Sequence, residues 1–384
     1  MNLAFISLHD FRPTVIAALL FFHLIFSGTA YAQKNDFKVI DDVNVVQLGK
    51  QNIYYNSNKE TLNGSYKIAE GSGAYSEANF VNGKVNGKWM GYDSFGNLEY
   101  TSTFKDGIAD GEAKTYFKNG NVNSEAYWKN GKEDGKWIEY NQKGKVIKTE
   151  NYSDGLKDGK WTATTEFSEY VDKKTRRTEF YKKDVPTGTW SETWLNGQDE
   201  WTKEYSDFDS YKEKTYYQNG QLKTVKQFLK GKPHGLHEGY SEEGIKWYLI
   251  TFEKGLKTLD KQYHPNGKLR SVEHFNEKGR KGILERFNDQ GIKEYHLPWK
   301  NGKEHGIQKR YSMTGVIMRE EEFVNGIREG VYRTYYSDGL ENIRREGQYV
   351  NGKKQGVFKS YDATGKLVSE TTYENGRQTS YTSY

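Results

Sequence analysis

The chain has 384 residues, with 57 Lys and Arg against 52 Asp and Glu, and no cysteine. That composition excludes disulfides, thiolate nucleophiles, cysteine zinc sites and lipoprotein acylation. Because the two signs of charge alternate along the chain, no polybasic block is available to track phosphates, and nucleic acid is excluded as a partner. Only 34% of residues are hydrophobic, yet 30 Tyr, 19 Phe, 9 Trp and 40 Gly are present, a composition that predicts thin β-structure in which rings pack on pleated surfaces and glycines supply tight turns.

In chain order, Arg12 precedes the apolar run Val15 to Phe26, and Ser27, Gly28 and Ala30-Tyr31-Ala32 follow it ahead of Gln33. The run is short for a bilayer span, and its small-residue exit suits a signal peptidase, so residues 1–32 read as a cleaved signal peptide. This predicts an exported protein, periplasmic, cell-surface or extracellular, with no transmembrane segment after cleavage. Residues 33–63 lack the glycine pattern that follows and are expected to form an N-terminal cap or linker.

From residue 64 to 384 the chain repeats itself. Asn or Asp followed by Gly recurs 24 residues apart at Gly83, Gly107, Gly131 and Gly155, with a second glycine four residues later at Gly87, Gly111, Gly135 and Gly159. The pattern returns at Gly302, Gly326 and Gly352, paired with Gly306, Gly330 and Gly356. A further series including Gly96, Gly120, Gly144, Gly315 and Gly365 lies between these anchors. Each unit therefore has two turns and two strand-length runs, and Asn-Gly or Asp-Gly between such runs specifies a type I′ hairpin turn. The expected architecture is all-β, with about 13 tandem antiparallel hairpins of roughly 24 residues forming an elongated, twisted single-sheet solenoid, degenerate at 162–210. The charged stretch Asp172 to Arg177 reads as an insertion or bulge.

Two aromatic ladders follow from the same alignment. Two residues past the second glycine stand Trp89, Trp137, Trp161, Trp190, Tyr332 and Phe358; five past it stand Tyr92, Tyr116, Tyr140, Tyr240, Tyr311, Tyr335 and Tyr361. Three residues apart in a strand means opposite faces. Most of these rings are the packing of the array itself.

The unit NGK-x-x-G-x-W-x-x-Y, with VNGKVNGKW at Val81 to Trp89 as its clearest instance, resembles the MORN-variant repeats of bacterial proteins of the YwqK-family antitoxin type. The resemblance spans nearly all of the chain from Gly64 onward and implies a MORN-like β-hairpin solenoid, with related proteins acting as scaffolds near membranes that bind proteins or phospholipids. The unit Y-x-G-x-W with closely spaced glycines is not reproduced, so lipid binding is not carried over. An exported immunity protein would be compatible with the apparent signal peptide.

Chemistry is sparse. His234 and His237, with Glu238, are the nearest approach to a metal site, but three residues apart on a strand they face opposite ways and no third ligand is specified. His237 falls where other units place Trp. Carboxylates such as Glu99, Glu125 and Glu150 recur with the repeat, so none occupies the distinct environment that a catalytic pair requires. The glycines precede no helix and match no phosphate-binding loop. No catalytic, cofactor-binding or metal-binding residue is expected, no cofactor, and no enzymatic activity. The expected function is a protein-binding scaffold; the alternatives are glycan or cell-wall binding through rows of rings, and immunity to a toxin. Within the off-pattern stretch Glu179 to Tyr217, Trp190, Trp194 and Trp201 are the candidate partner-binding residues, because rings that the repeat does not demand are the better ligand candidates.

Overall fold

A computed structural model describes residues 37–70, 73–168 and 173–384. The expected signal peptide lies outside the described residues. Among them there is no helix, and thirty-five strands account for the regular structure. The chain divides into two units between Ala163 and Thr164.

In the first unit, Lys38–Ile40 pairs in parallel with Gly64–Ala69, and from there each strand pairs antiparallel with the next through Tyr75–Val81, Lys84–Tyr92, Leu98–Lys105, Ile108–Tyr116 and Val122–Lys129. In the second unit the same meander runs from Thr175–Lys182 to Arg377–Ser383. The fold is thus the tandem antiparallel hairpin array that the glycine spacing predicts.

The turns have the predicted backbone. Asn82 and Gly83 have φ of 51° and 74°, and Asn130–Gly131, Asp154–Gly155, Asn325–Gly326 and Asn351–Gly352 repeat the pair of positive values. Such a pair is what a two-residue hairpin needs to match the strand twist. The alternate turns are longer. In the one at Asp93, the N–H of Asn97 and that of Phe95 both reach the Asp93 carboxylate, at 2.8 and 2.9 Å, while Gly96 takes φ 84° and the pairing slips by one residue between Gly91 and Tyr92. Asn141, Asn276, Asn288 and Asp362 head turns of the same design.

Successive repeats are also tied turn to turn. The N–H of most two-residue-turn glycines donates to a carbonyl of the preceding repeat, as Gly107 does to Val85, Gly131 to Ala109 and Gly155 to Glu133, each at 2.8 Å. The N–H of the residue before it is often held as well: Asn130 by Asp110 at 3.1 Å, Asp154 by Asp134 at 3.2 Å, Asn351 by Glu329 at 2.7 Å and Asn375 by Gln355 at 2.9 Å. A backbone donor at an exposed turn thereby gains a protein partner in place of water.

The best-packed core is at the N-terminal end. A separate hairpin, Asn44–Leu48 with Gln51–Tyr55, places Tyr54 against Phe80 and Trp89, ring centres 5.1 and 5.5 Å apart. Leu62, Ile68, Ala78 and Val85 complete the cluster, and Leu62 is wholly buried. Residues 37–63 thus cover the apolar face of the first hairpins.

The stretch Asp172 to Arg177, read as an insertion or bulge, straddles the end of a connection, from Thr164 to Thr175, that is longer than its counterpart from Tyr140 to Val146. Asp172 lies outside the described residues, but Thr175, Arg176 and Arg177 begin a regular strand and pair with Trp194, Thr193 and Glu192.

Candidate interaction surface

The strands present two chemically different faces. On one, the ladder position carries buried and half-buried rings. In the second unit these form an unbroken row, Tyr181, Trp190, Tyr205, Tyr211, Phe228, His237 and Phe252, with neighbouring centres 4.6 to 5.4 Å apart. Farther along, Tyr332, Tyr349, Phe358 and Tyr373 form another. Separations of this size suit tilted aromatic contacts.

On the opposite face, residues aligned across the strands alternate in sign: Lys309, Glu320, Arg333, Glu346, Lys359 and Glu370 are successive partners. The tyrosines of the second ladder stand beside them. Tyr335 donates to Glu320 at 2.7 Å and Tyr361 to Glu346 at 2.7 Å; burial and the bond to Glu320 push the Tyr335 phenol up to about 12. These carboxylates are therefore engaged by the array, and each surface pair adds only about 0.2–1 kcal/mol. Tyr92 and Trp89, three residues apart, fall on opposite faces as expected, Tyr92 approaching Glu77 and Trp89 buried among the rings.

His237 is a rung of the first row, where the sequence alignment puts it. It is 7% exposed, lies 4.6 Å from the Phe252 ring, and its Nε2 meets the Gln227 carbonyl at 2.8 Å. Burial holds its pKa below the ordinary histidine value; Lys226 adds to that, and the Gln227 carbonyl and Glu213 oppose it. A histidine depressed on folding stabilises the fold above its unfolded pKa, and that contribution is lost as pH falls through the folded value. Amide protection over residues 211–252 is accordingly expected to decline on acidification below about pH 6.5, the unperturbed value. His237→Phe, which keeps an aromatic rung, should flatten that decline; an unchanged pH profile would remove His237 as its cause. His234, the other half of the sequence pair, precedes the second-anchor glycine of its repeat, and its Nδ1 is buried without a hydrogen-bond partner.

The three candidate tryptophans separate. Trp190 is a rung between Tyr181 and Tyr205, and its Nε1 donates to the Phe180 carbonyl at 2.9 Å. Trp194 and Trp201 lie off that row, near the longer turn between Thr189–Trp194 and Asp199–Asp207. Trp201 is cross-strand partner to Glu192 and donates its indole N–H to that carboxylate at 3.0 Å. Thr175 donates to the other carboxylate oxygen at 2.6 Å. Arg177 and Lys203 approach the Trp201 ring at 5.4 and 5.7 Å, and Lys173 stands 5.2 Å from the Trp194 ring while pairing with Glu200. Trp194 Nε1 is buried without a hydrogen-bond partner. The result is a half-buried patch of two indoles, an arginine, two lysines and two glutamates. No residue type in that patch was invisible in the sequence, but the pairing of Arg177 and Glu192 with these rings was, since it depends on register across three strands.

Elsewhere the surface is shallow, as at the dent formed by Asn97, Leu98, Tyr116, Lys118, Asn119 and Gly120. Among the described residues, no three His, Asp or Glu side chains are grouped to hold a metal ion, and no helix is long and apolar enough to cross a membrane.

The chain is thus a β-hairpin repeat protein whose units are bounded by two-residue turns. Six stretches of it match the family model of the MORN repeat variant, at residues 85–106, 109–130, 133–154, 212–230, 261–277 and 354–375. The first three matched spans each start just past one Asn-Gly or Asp-Gly turn and end at the next, so the family's unit and the observed hairpin coincide. No curated protein sequence matches the chain. Among solved structures, 86% of the chain aligns with 23% of a chain of a mutant Tc holotoxin pore from Photorhabdus luminescens, at 11% identity and a TM-score of 0.17. A porin-like protein from Bacteroides uniformis aligns over 98% of its length with 59% of this chain, at 12% identity and a TM-score of 0.14. TcdB2-TccC3 without its hypervariable C-terminal region gives 11% identity and 0.13, with 85% and 21% covered. The chain therefore spans less than a quarter of the two toxin chains, and scores this low carry no argument about arrangement or activity.

Proposed function

We propose that this protein is a non-catalytic scaffold that binds a protein partner outside the cytoplasm. The observation that carries the reading is the Trp194–Trp201 patch. Trp and Arg are among the residues enriched at the centres of protein interfaces, and here two indoles that the repeat does not require share a patch with Arg177. Sugar stacking needs free ring faces, whereas cationic groups already approach Trp201 and Trp194; this favours a protein over a cell-wall glycan. The immunity reading rests on the family resemblance alone.

The test uses the protein from Gln33 onward, immobilised and exposed to envelope and cytosolic fractions, alongside Trp194→Ala/Trp201→Ala with unchanged circular dichroism. A protein retained from the envelope fraction, competed by the free scaffold and lost with the double variant, is the expected result. Co-sedimentation with peptidoglycan, or retention indifferent to both substitutions, would refute the reading. Export is checked separately: the mature protein should begin at Gln33 by N-terminal sequencing, and recovery of an intact Met1 form in the cytosol would place it elsewhere.

A further inference from the structure

Six of the two-residue turns are Asn-Gly pairs in which Asn has positive φ: Asn82, Asn130, Asn301, Asn325, Asn351 and Asn375. Asn-Gly is the dipeptide most exposed to a self-reaction, because the unhindered glycine nitrogen can attack the neighbouring side-chain amide. The inter-repeat hydrogen bonds decide how free that nitrogen is.

At four of the six, both turn N–H groups are held. Gly83 and Asn82 donate to the Leu62 carbonyl and Asn63, Gly131 and Asn130 to Ala109 and Asp110, Gly352 and Asn351 to Arg328 and Glu329, and Gly376 and Asn375 to Lys354 and Gln355. At Asn325 only the glycine is held, Gly326 donating to the Glu304 carbonyl at 2.8 Å. Asn301–Gly302 has neither bond among the described residues. The reason lies one repeat earlier. There the turn is a longer one in which the Arg280 carbonyl, the counterpart of the usual acceptor, accepts instead from the Asn276 N–H at 2.9 Å. The side chain that should hold the asparagine is Lys281, which has no acceptor lone pair and pairs with Glu273 at 3.0 Å.

We infer that Asn301 is a site of spontaneous modification, deamidating faster in the folded protein than the other turn asparagines. The Gly302 nitrogen, losing its proton to solvent, bonds to Asn301 Cγ; the bond from Cγ to the amide nitrogen Nδ2 breaks and ammonia leaves, closing a succinimide. Water then opens either ring carbonyl, giving aspartate or isoaspartate. The isoaspartyl form lengthens the backbone of a two-residue turn by one atom, and both forms add a carboxylate between Lys300 and Lys303. The modification converts one turn of the array irreversibly with time.

The molecule contains its own control. Trp128–Glu133 and Trp299–Glu304 are the same hexapeptide, WKNGKE, both turns are exposed, and the φ values of Asn130 and Asn301 are 51° and 54°. Only the neighbouring repeat differs. The full-length protein is aged at neutral pH, digested with a glutamate-specific protease, and the peptides ending at Glu133 and Glu304 are followed by mass spectrometry for the replacement of NH2 by OH. Asn301 should convert faster than Asn130 by between about twofold and tenfold, the population ratio of one net hydrogen bond, with Asn325 in between. In guanidinium the two hexapeptides should convert at one rate. Lys281→Asp, supplying the missing acceptor, should slow Asn301, and Asp110→Ala should speed Asn130. Equal rates for Asn130 and Asn301 in the folded protein, or a difference that persists after unfolding, would overturn the inference.

Discussion

Phe80→Ala is expected to cost the N-terminal end of the array roughly 3–5 kcal/mol, the range for removing a fully buried phenylalanine. Phe80 is 1% exposed and is touched by Tyr54, Tyr66 and Trp89, with ring centres 5.1 to 6.1 Å away. It is the point where the covering hairpin and the first repeats meet, so its loss opens a cavity beneath residues 37–63 that few neighbours can fill. Stability in a hairpin array is a sum of local terms. The loss should therefore be regional, with hydrogen exchange accelerating over residues 51–92 and unchanged over residues 317–383. Uniform acceleration from end to end would show that the array unfolds as one cooperative body, and no acceleration would show that the cluster is not the local core.

Gly347→Ala should destabilise its region by about 1–3 kcal/mol, as overpacking does. Gly347 is paired with Tyr332, and a Cβ there would stand 2.5 Å from the ring of Phe358. The bare glycine is what lets the Phe358 ring lie across it and come within 6.0 Å of Tyr332, two strands away. Gly365→Ala is the comparison: nothing lies within 4 Å of its Cβ, but its φ is +87°, so its cost of roughly 1–2 kcal/mol is backbone strain alone. Adding Phe358→Leu should recover part of the Gly347→Ala loss in chemical denaturation and leave the Gly365→Ala loss unchanged. Equal effects of Phe358→Leu in both backgrounds would show that the ring does not need the space above Gly347.

The turns, the strands and the two-sided placement of Trp89 and Tyr92 were legible in the amino-acid sequence, and so was the ladder position of His237. The inter-repeat acceptors left a signal in the sequence: Asp110, Asp134, Glu329 and Gln355 each directly precede a second-anchor glycine. The candidate surface was legible only as a list of rings. Its division, with Trp190 a rung and Trp201 bonded to Glu192, arises from cross-strand register, which sets Trp190 opposite Lys203 and Trp201 opposite Glu192.

What the sequence determined by itself is the local geometry, because the preference of Asn-Gly and Asp-Gly for paired positive φ acts within four residues. Tertiary structure alone decided which groups meet, because cross-strand partners are set by register and bulges and by the turn of the preceding repeat. The two copies of WKNGKE make the division plain: identical residues build the same turn twice, and Asp110 holds the turn at Asn130 while Lys281 leaves that at Asn301 open.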